Sequence, residues 1–166
     1  MQFDPTYNYG DTDLTNHDNL IYWKFGELIK NLVTLASDAK RQFEIIGIGA
    51  TCDEMAEDFH TYFTISYQAY IDSKLLTSLQ VAKLQELDTF FNDRSGDKVP
   101  NFWDDYLLET NSDWKVVRQK ALDVLFSLGM QDLTLEFDRI EKQMTNIGKQ
   151  LTVQTTKIRL VRQNAS

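Results

Sequence analysis

Proline stands at only two positions, Pro5 and Pro100, and glycine at seven. Proline removes a backbone N–H and clashes with the preceding turn, and glycine loosens a helix, so both punctuate helical chains. A chain this short of them can carry long helices. The apolar spacing agrees. Ile21, Phe25, Leu28, Leu32, Leu35, Ala39 and Phe43 recur at steps of three and four, one face of a helix over 18–43. Thr15, Asn16 or Asp18 can cap it, and Gly47 and Gly49 can stop it. Thr51 and Glu54 form the next capping pattern, ahead of Met55, Phe59, Tyr62 and Phe63. Leu76, Leu79, Leu84, Leu87, Phe90 and Phe91 line a helix within 74–94, and 102–109 reads as a short one. Asn111 or Ser112 then caps a helix lined by Trp114, Val117, Ala121, Val124, Leu125 and Leu128, with Gly129 at its end.

The last segment is the most regular. Leu133, Ile140 and Ile147 recur every seven residues, and Phe137, Met144, Leu151 and Ile158 form a second row at the same period. Two interleaved sevens predict a long amphipathic helix over 132–162. Acids lead (Asp132, Glu136, Asp138) and bases trail (Lys157, Arg159, Arg162), as a helix dipole prefers. Residues 133–137 also alternate like a strand, but only over that stretch. Gln154 falls in the seam and marks that half as the part to project. The expected fold is therefore all-α: a bundle of about five helices in one domain, 1–166, with an irregular segment at 1–17 and a long C-terminal helix at 132–162.

The chain has 166 residues, a usual single-domain length, and 42% of them are hydrophobic. Cys52 is the sole cysteine, so an internal disulfide and a cysteine-rich metal site are excluded. The opening MQFDPTYNYGDTD lacks the basic start and apolar core of a secretory signal, and no stretch has the length of a membrane span. These features set the expectation of a cytoplasmic protein with no membrane partner. The net charge of −8 argues against nucleic acid, which is bound by neutralising phosphates. The charge is also divided. Residues 1–138 carry 11 basic and 24 acidic side chains, net −13, and 139–166 carry six basic and one acidic, net +5.

Few residues are arranged for chemistry. Glu57 and His60 form a Glu-x-x-His pair, whose two side chains share a helix face and can share a metal. A dinuclear site needs a second such pair, and His17, the other histidine, has none, so no metal is assigned. Cys52 lies beside a helix start, which lowers a thiol pKa, but Asp53 and Glu54 oppose that and no histidine is near. Phosphate-loop, dinucleotide, zinc-protease and nucleophile-elbow motifs are all missing. The chain therefore reads as a non-enzyme without a cofactor. Trp103, Asp104, Asp105, Glu109 and Asp113 combine acids with an aromatic anchor, a pattern suited to docking a basic protein.

The segments Asp53-Glu54-Met55-Ala56-Glu57-Asp58-Phe59, Leu87-Asp88-Thr89-Phe90-Phe91, Ser95-Gly96, Phe102-Trp103 and Trp114-Lys115-Val116-Val117-Arg118-Gln119-Lys120-Ala121 resemble those of small bacterial α-helical proteins. Some members of that group look like immunity proteins that neutralise toxins. The resemblance spans about residues 18–129. It implies a non-catalytic intracellular protein that binds a basic toxin by direct contact, and it supplies no catalytic residue. Two other functions fit the residues: a scaffold that self-associates as a homodimer through its C-terminal heptads, and a metal- or small-ligand-binding bundle at Glu57 and His60.

Overall fold

The structure, a computed structural model, describes residues 2–163. Among them are six α-helices: α1 His17–Ala36, α2 Ala39–Ile46, α3 Thr51–Phe59, α4 Tyr67–Asp72, α5 Ser78–Asn92 and α6 Ser112–Ser127. A π-helical segment, His60–Thr64, joins α3 to α4, and 3-10 turns lie at Tyr9–Asp11, Pro100–Trp103 and Asp105–Leu107. Two antiparallel strands, β1 Leu133–Asn146 and β2 Lys149–Arg162, follow α6.

Local chemistry sets the helix ends. Asn16 caps α1 by accepting from the Asn19 N–H at 3.1 Å. The helix expected over 18–43 is two helices. At the break, the Ser37 hydroxyl donates back to the Val33 carbonyl at 2.7 Å, and Asp38 accepts from the Arg41 N–H at 2.8 Å. Short polar side chains there outcompete the helical ladder and start a new one. Thr77 and Gln80 form a reciprocal capping box for α5. Asn111 caps α6, and Gly129 follows in the left-handed region at φ +68°. The segment 102–109 holds 3-10 turns rather than a helix.

Helix α1 is the central element, in contact with α3, α6 and both strands. Phe25, Leu28, Ile29, Leu32 and Leu35 are its buried face. The largest buried side chain is Trp114, stacked on Phe102 with centroids 4.6 Å apart and planes 3° from parallel. The buried Gln42 amide donates to the carbonyls of Thr34 (3.2 Å), which also accepts from the Ser37 N–H, and Leu35 (3.1 Å), in the last turn of α1 where the helical ladder runs out.

The all-α expectation is overturned at the C-terminus. Residues 133–162 form a β-hairpin, not a long amphipathic helix, and the fold is mixed, six helices and a two-stranded sheet. The register pairs Leu133 with Arg162 and Asn146 with Lys149, leaving Ile147-Gly148 as a two-residue tip. Both tip residues have positive φ (50° and 74°), as a type I′ hairpin turn requires. The segment is rich in threonine, isoleucine and valine, which suit a pleated surface. The heptad seam expected to mediate a homodimer is thus not a helical surface.

The hairpin is held at its base and free at its tip. On the inner face, Leu133, Leu135 and Leu160 are buried, and Phe137 and Ile158 pack against the helical core. Further out, Arg139 donates to the carbonyls of Glu44 (2.7 Å) and Ile45 (2.6 Å), in the last turn of α2. The Gln154 amide donates to the Ile46 carbonyl at 3.0 Å and accepts from the Ile48 N–H at 2.9 Å. Gln154, read as a mark of projection, is therefore an anchor. From Ile140 to Val153 the residues are exposed on both faces.

Candidate binding cleft

The five residues expected to form an acidic docking patch have mostly structural partners. Asp105 accepts from the N–H groups of Thr51 and Cys52, both at 3.0 Å. It thereby caps α3, whose own N-cap residue, Ala50, has no side chain to do so. Asp113 pairs with Arg94 at 2.8 Å, and Asp104 accepts from the Tyr106 N–H at 2.9 Å. Trp103 is half-buried and its indole donates to the Arg94 carbonyl at 2.6 Å. Glu109 is exposed and has no ion pair among the described residues. Arg94 joins this region to α5, with its guanidinium 3.5 Å from the centre of the Phe90 ring.

Carboxylates that form no ion pair among the described residues lie next door. The outward face of α3, the C-terminal half of α5, the loop 95–97 and Trp103 enclose a cleft of about 640 Å³. Its floor is aromatic: Phe59, Phe91 and Trp103. Its rim carries Asp53, Glu57, Asp88 and Asp97, with His60 beside them. Asp53 and Glu57 are four residues apart, so one face of α3 presents both. His60 opens the π-helical segment, the wider turn that ends α3 at the cleft. Asp88 is oriented by the Thr64 hydroxyl at 2.8 Å. Among the described residues no lysine or arginine forms an ion pair with any of the four rim acids.

Electrostatics along α3 reflect that crowding. Partial burial raises the Asp53 carboxyl above its ordinary value, and the charges of Asp105 and Glu57 add to it. Asp58, on the neighbouring side of α3, is pushed up to about 6 by desolvation of its carboxyl, with Glu54, Glu27 and Glu57 contributing repulsion. The residue as a whole is exposed, so solvent screens part of this. A carboxyl raised in the folded state gives stability that is complete below its unfolded value and lost as pH climbs through about 6. Asp58→Asn, which stays neutral, is expected to stabilise the fold by ~1 kcal/mol at pH 7.5 after discounting for exposure, and to leave it unchanged near pH 4. Thermal melts of the two proteins across that range check this; parallel curves would contradict it.

The cleft can hold a cationic, partly apolar group by charge and ring contact. Glu57 and His60 both line it, yet among the described residues no three His, Cys, Asp or Glu side chains are gathered to hold a metal. Cys52 is fully buried, and burial raises its thiol, with the hydrogen bond and charge of Asp105 adding to the shift. It is an inert packing residue. Trp103 is the one member of the expected patch that lines the cleft. Sequence spacing joined Glu57 to His60 but had no signal for Asp88 or Asp97, which reach the rim from α5 and the loop after it. Among the described residues no helix is long and apolar enough to cross a membrane. Comparison with protein-family models, curated proteins and solved structures gives no match.

Proposed function

We propose that this chain is a non-catalytic binding protein of the cytoplasm that neutralises a basic toxin by direct contact. The supporting observation is the cleft: four rim carboxylates that form no ion pair among the described residues, above an aromatic floor. Such a site pairs long-range attraction for lysine and arginine with a desolvated anchor point, the combination that makes association fast and specific. The acidic balance of residues 1–138, net −13, extends the same field beyond the cleft.

The test is affinity capture from the native host, identified by mass spectrometry, using the natural chain and a Glu57→Lys, Asp97→Lys variant. Both substitutions lie on the exposed rim. The natural chain is expected to retain a basic protein whose expression arrests growth, and co-expression is expected to restore growth. Charge reversal is expected to weaken that binding by ~100-fold or more, and added salt to weaken the natural pair. A captured protein bound equally by both chains, or one whose toxicity the natural chain does not relieve, would overturn the reading.

A further inference from the structure

The hairpin changes its apolar face halfway along, and among the described residues nothing covers the second half. Successive residues of a strand point to opposite sides. Near the body, Leu133, Leu135 and Phe137 point inward and Glu136 and Asp138 outward. Beyond Arg139 the pattern inverts. Ile140 and Met144 on β1, with Val153 and Leu151 on β2, lie on the outer face, while Gln143, Thr145, Gln150 and Thr152 occupy the inner one. The outer four are 61, 54, 43 and 47% exposed in the order named, and Ile147 at the tip is 95% exposed.

The tip adds a second observation. Ile147 has φ +50°, a left-handed conformation that a β-branched side chain adopts at a cost and where asparagine, aspartate or glycine is preferred. Nothing in the helical body touches that side chain to offset the strain, given its exposure. Strain and exposure fall on the same apolar residue, at the end of the same apolar strip.

We infer that the outer face of the hairpin is a self-association surface, on which a second copy of this chain packs its own hairpin face to face, the two arms side by side and parallel about a two-fold axis along them. The register makes the face self-complementary in this arrangement, because the axis sets β1 of one copy over β2 of the other. Glu136 then faces Arg159 of the second copy and Asp138 faces its Lys157, while Met144 faces Leu151 and Lys142 lays its aliphatic stem on Val153. The two Ile147 tips meet at the end. A 14-residue, two-stranded face is about 45 Å long and 10 Å wide, so two such faces bury on the order of 1,000 Å², the lower bound for a specific dimer. This surface is separate from the cleft, and its failure would leave the proposed toxin binding untouched.

Sedimentation equilibrium of the full chain tests it. The natural protein is expected to dimerise at micromolar concentration. Met144→Glu with Leu151→Glu should raise the dissociation constant ~100-fold or more while the helical circular dichroism stays unchanged. A shortened hairpin, in which Asn-Gly replaces residues 143–152 and both anchors remain, should be a folded monomer. Ile147→Asn should melt at higher temperature, with strain relieved, yet dimerise more weakly. Glu136→Lys with Asp138→Lys should abolish the dimer, and adding Lys157→Glu with Arg159→Glu should restore it. A monomeric natural chain, including one that binds anionic vesicles through this face, would overturn the inference. So would a dimer indifferent to the Met144 and Leu151 substitutions, or one that the four-fold charge exchange fails to restore.

Discussion

Trp114→Ala is expected to destabilise the fold by about 4 kcal/mol, a drop of roughly 8–16 °C in melting temperature for a chain of this size. Trp114 is fully buried and is the largest of the buried side chains. Its ring lies flat on Phe102 and is 6.0 Å from Phe91 between centroids. Alanine leaves a cavity that these rings, held by α5 and by the Pro100–Trp103 turn, can fill only in part. The indole N–H also donates to the Phe102 carbonyl at 2.6 Å, and its removal strands that carbonyl away from water. Trp114→Phe separates the two contributions. It keeps most of the stack and loses the hydrogen bond, so about half the effect should remain. Urea unfolding followed by circular dichroism gives both values, and an alanine loss below ~1.5 kcal/mol would mean that the site collapses around the cavity. Phe91 is shared between this stack and the cleft floor, so Trp114→Ala should also weaken binding at the cleft without touching a rim charge.

The sequence made the helical body readable where local signals agreed. Around α6, the apolar stripe, a cap at Asn111 or Ser112 and the terminal Gly129 all name one helix, and that helix is present, capped by Asn111. The hairpin was hidden by its own change of face. A strand with one buried side steps by two, but moving the apolar set to the other side inserts an odd step. Between Phe137 and Ile140 that step is three, and from Ile140 to Met144 it is four, which together read as a helical heptad. The acids at the start and bases at the end, read as dipole compensation, are instead cross-strand partners: Arg159 pairs with Glu136 at 2.8 Å and with Asp138 at 3.1 Å. The feature that defeated the periodicity argument is the one that leaves an apolar face exposed. The cleft was half legible for a different reason. Asp53 and Glu57 share α3, His60 follows directly at its end, and their spacing is visible, whereas Asp88 and Asp97 join them only through packing of α5 against the body.

Asp105 shows the same limit at one residue, and it carries the second large effect. In the sequence it is one acid in a run beside Trp103, and a docking role is the natural reading. In the fold its two carboxylate oxygens take the first two N–H groups of α3, supplied from a 3-10 turn more than fifty residues away. Thr51 and Cys52 are both buried, so water cannot take over if the carboxylate is lost. Asp105→Ala is therefore expected to cost about 3 kcal/mol, more than an ordinary cap, because two donors are stranded and the charge at a helix N-terminus disappears. Asp105→Asn keeps one acceptor and should cost about 1 kcal/mol. The thiol of Cys52 gives an independent readout. Asp105 raises it through both a hydrogen bond and its charge, so removing the carboxylate lowers it and loosens the helix start above it. Labelling of Cys52 by a thiol reagent under native conditions should then run faster in Asp105→Ala than in the natural chain. A pure docking residue would behave in the opposite way: stability and labelling rate unchanged, partner binding alone reduced. The two measurements together decide whether this acid belongs to the surface or to the frame that holds α3, and with it the Asp53–Glu57 rim, in place.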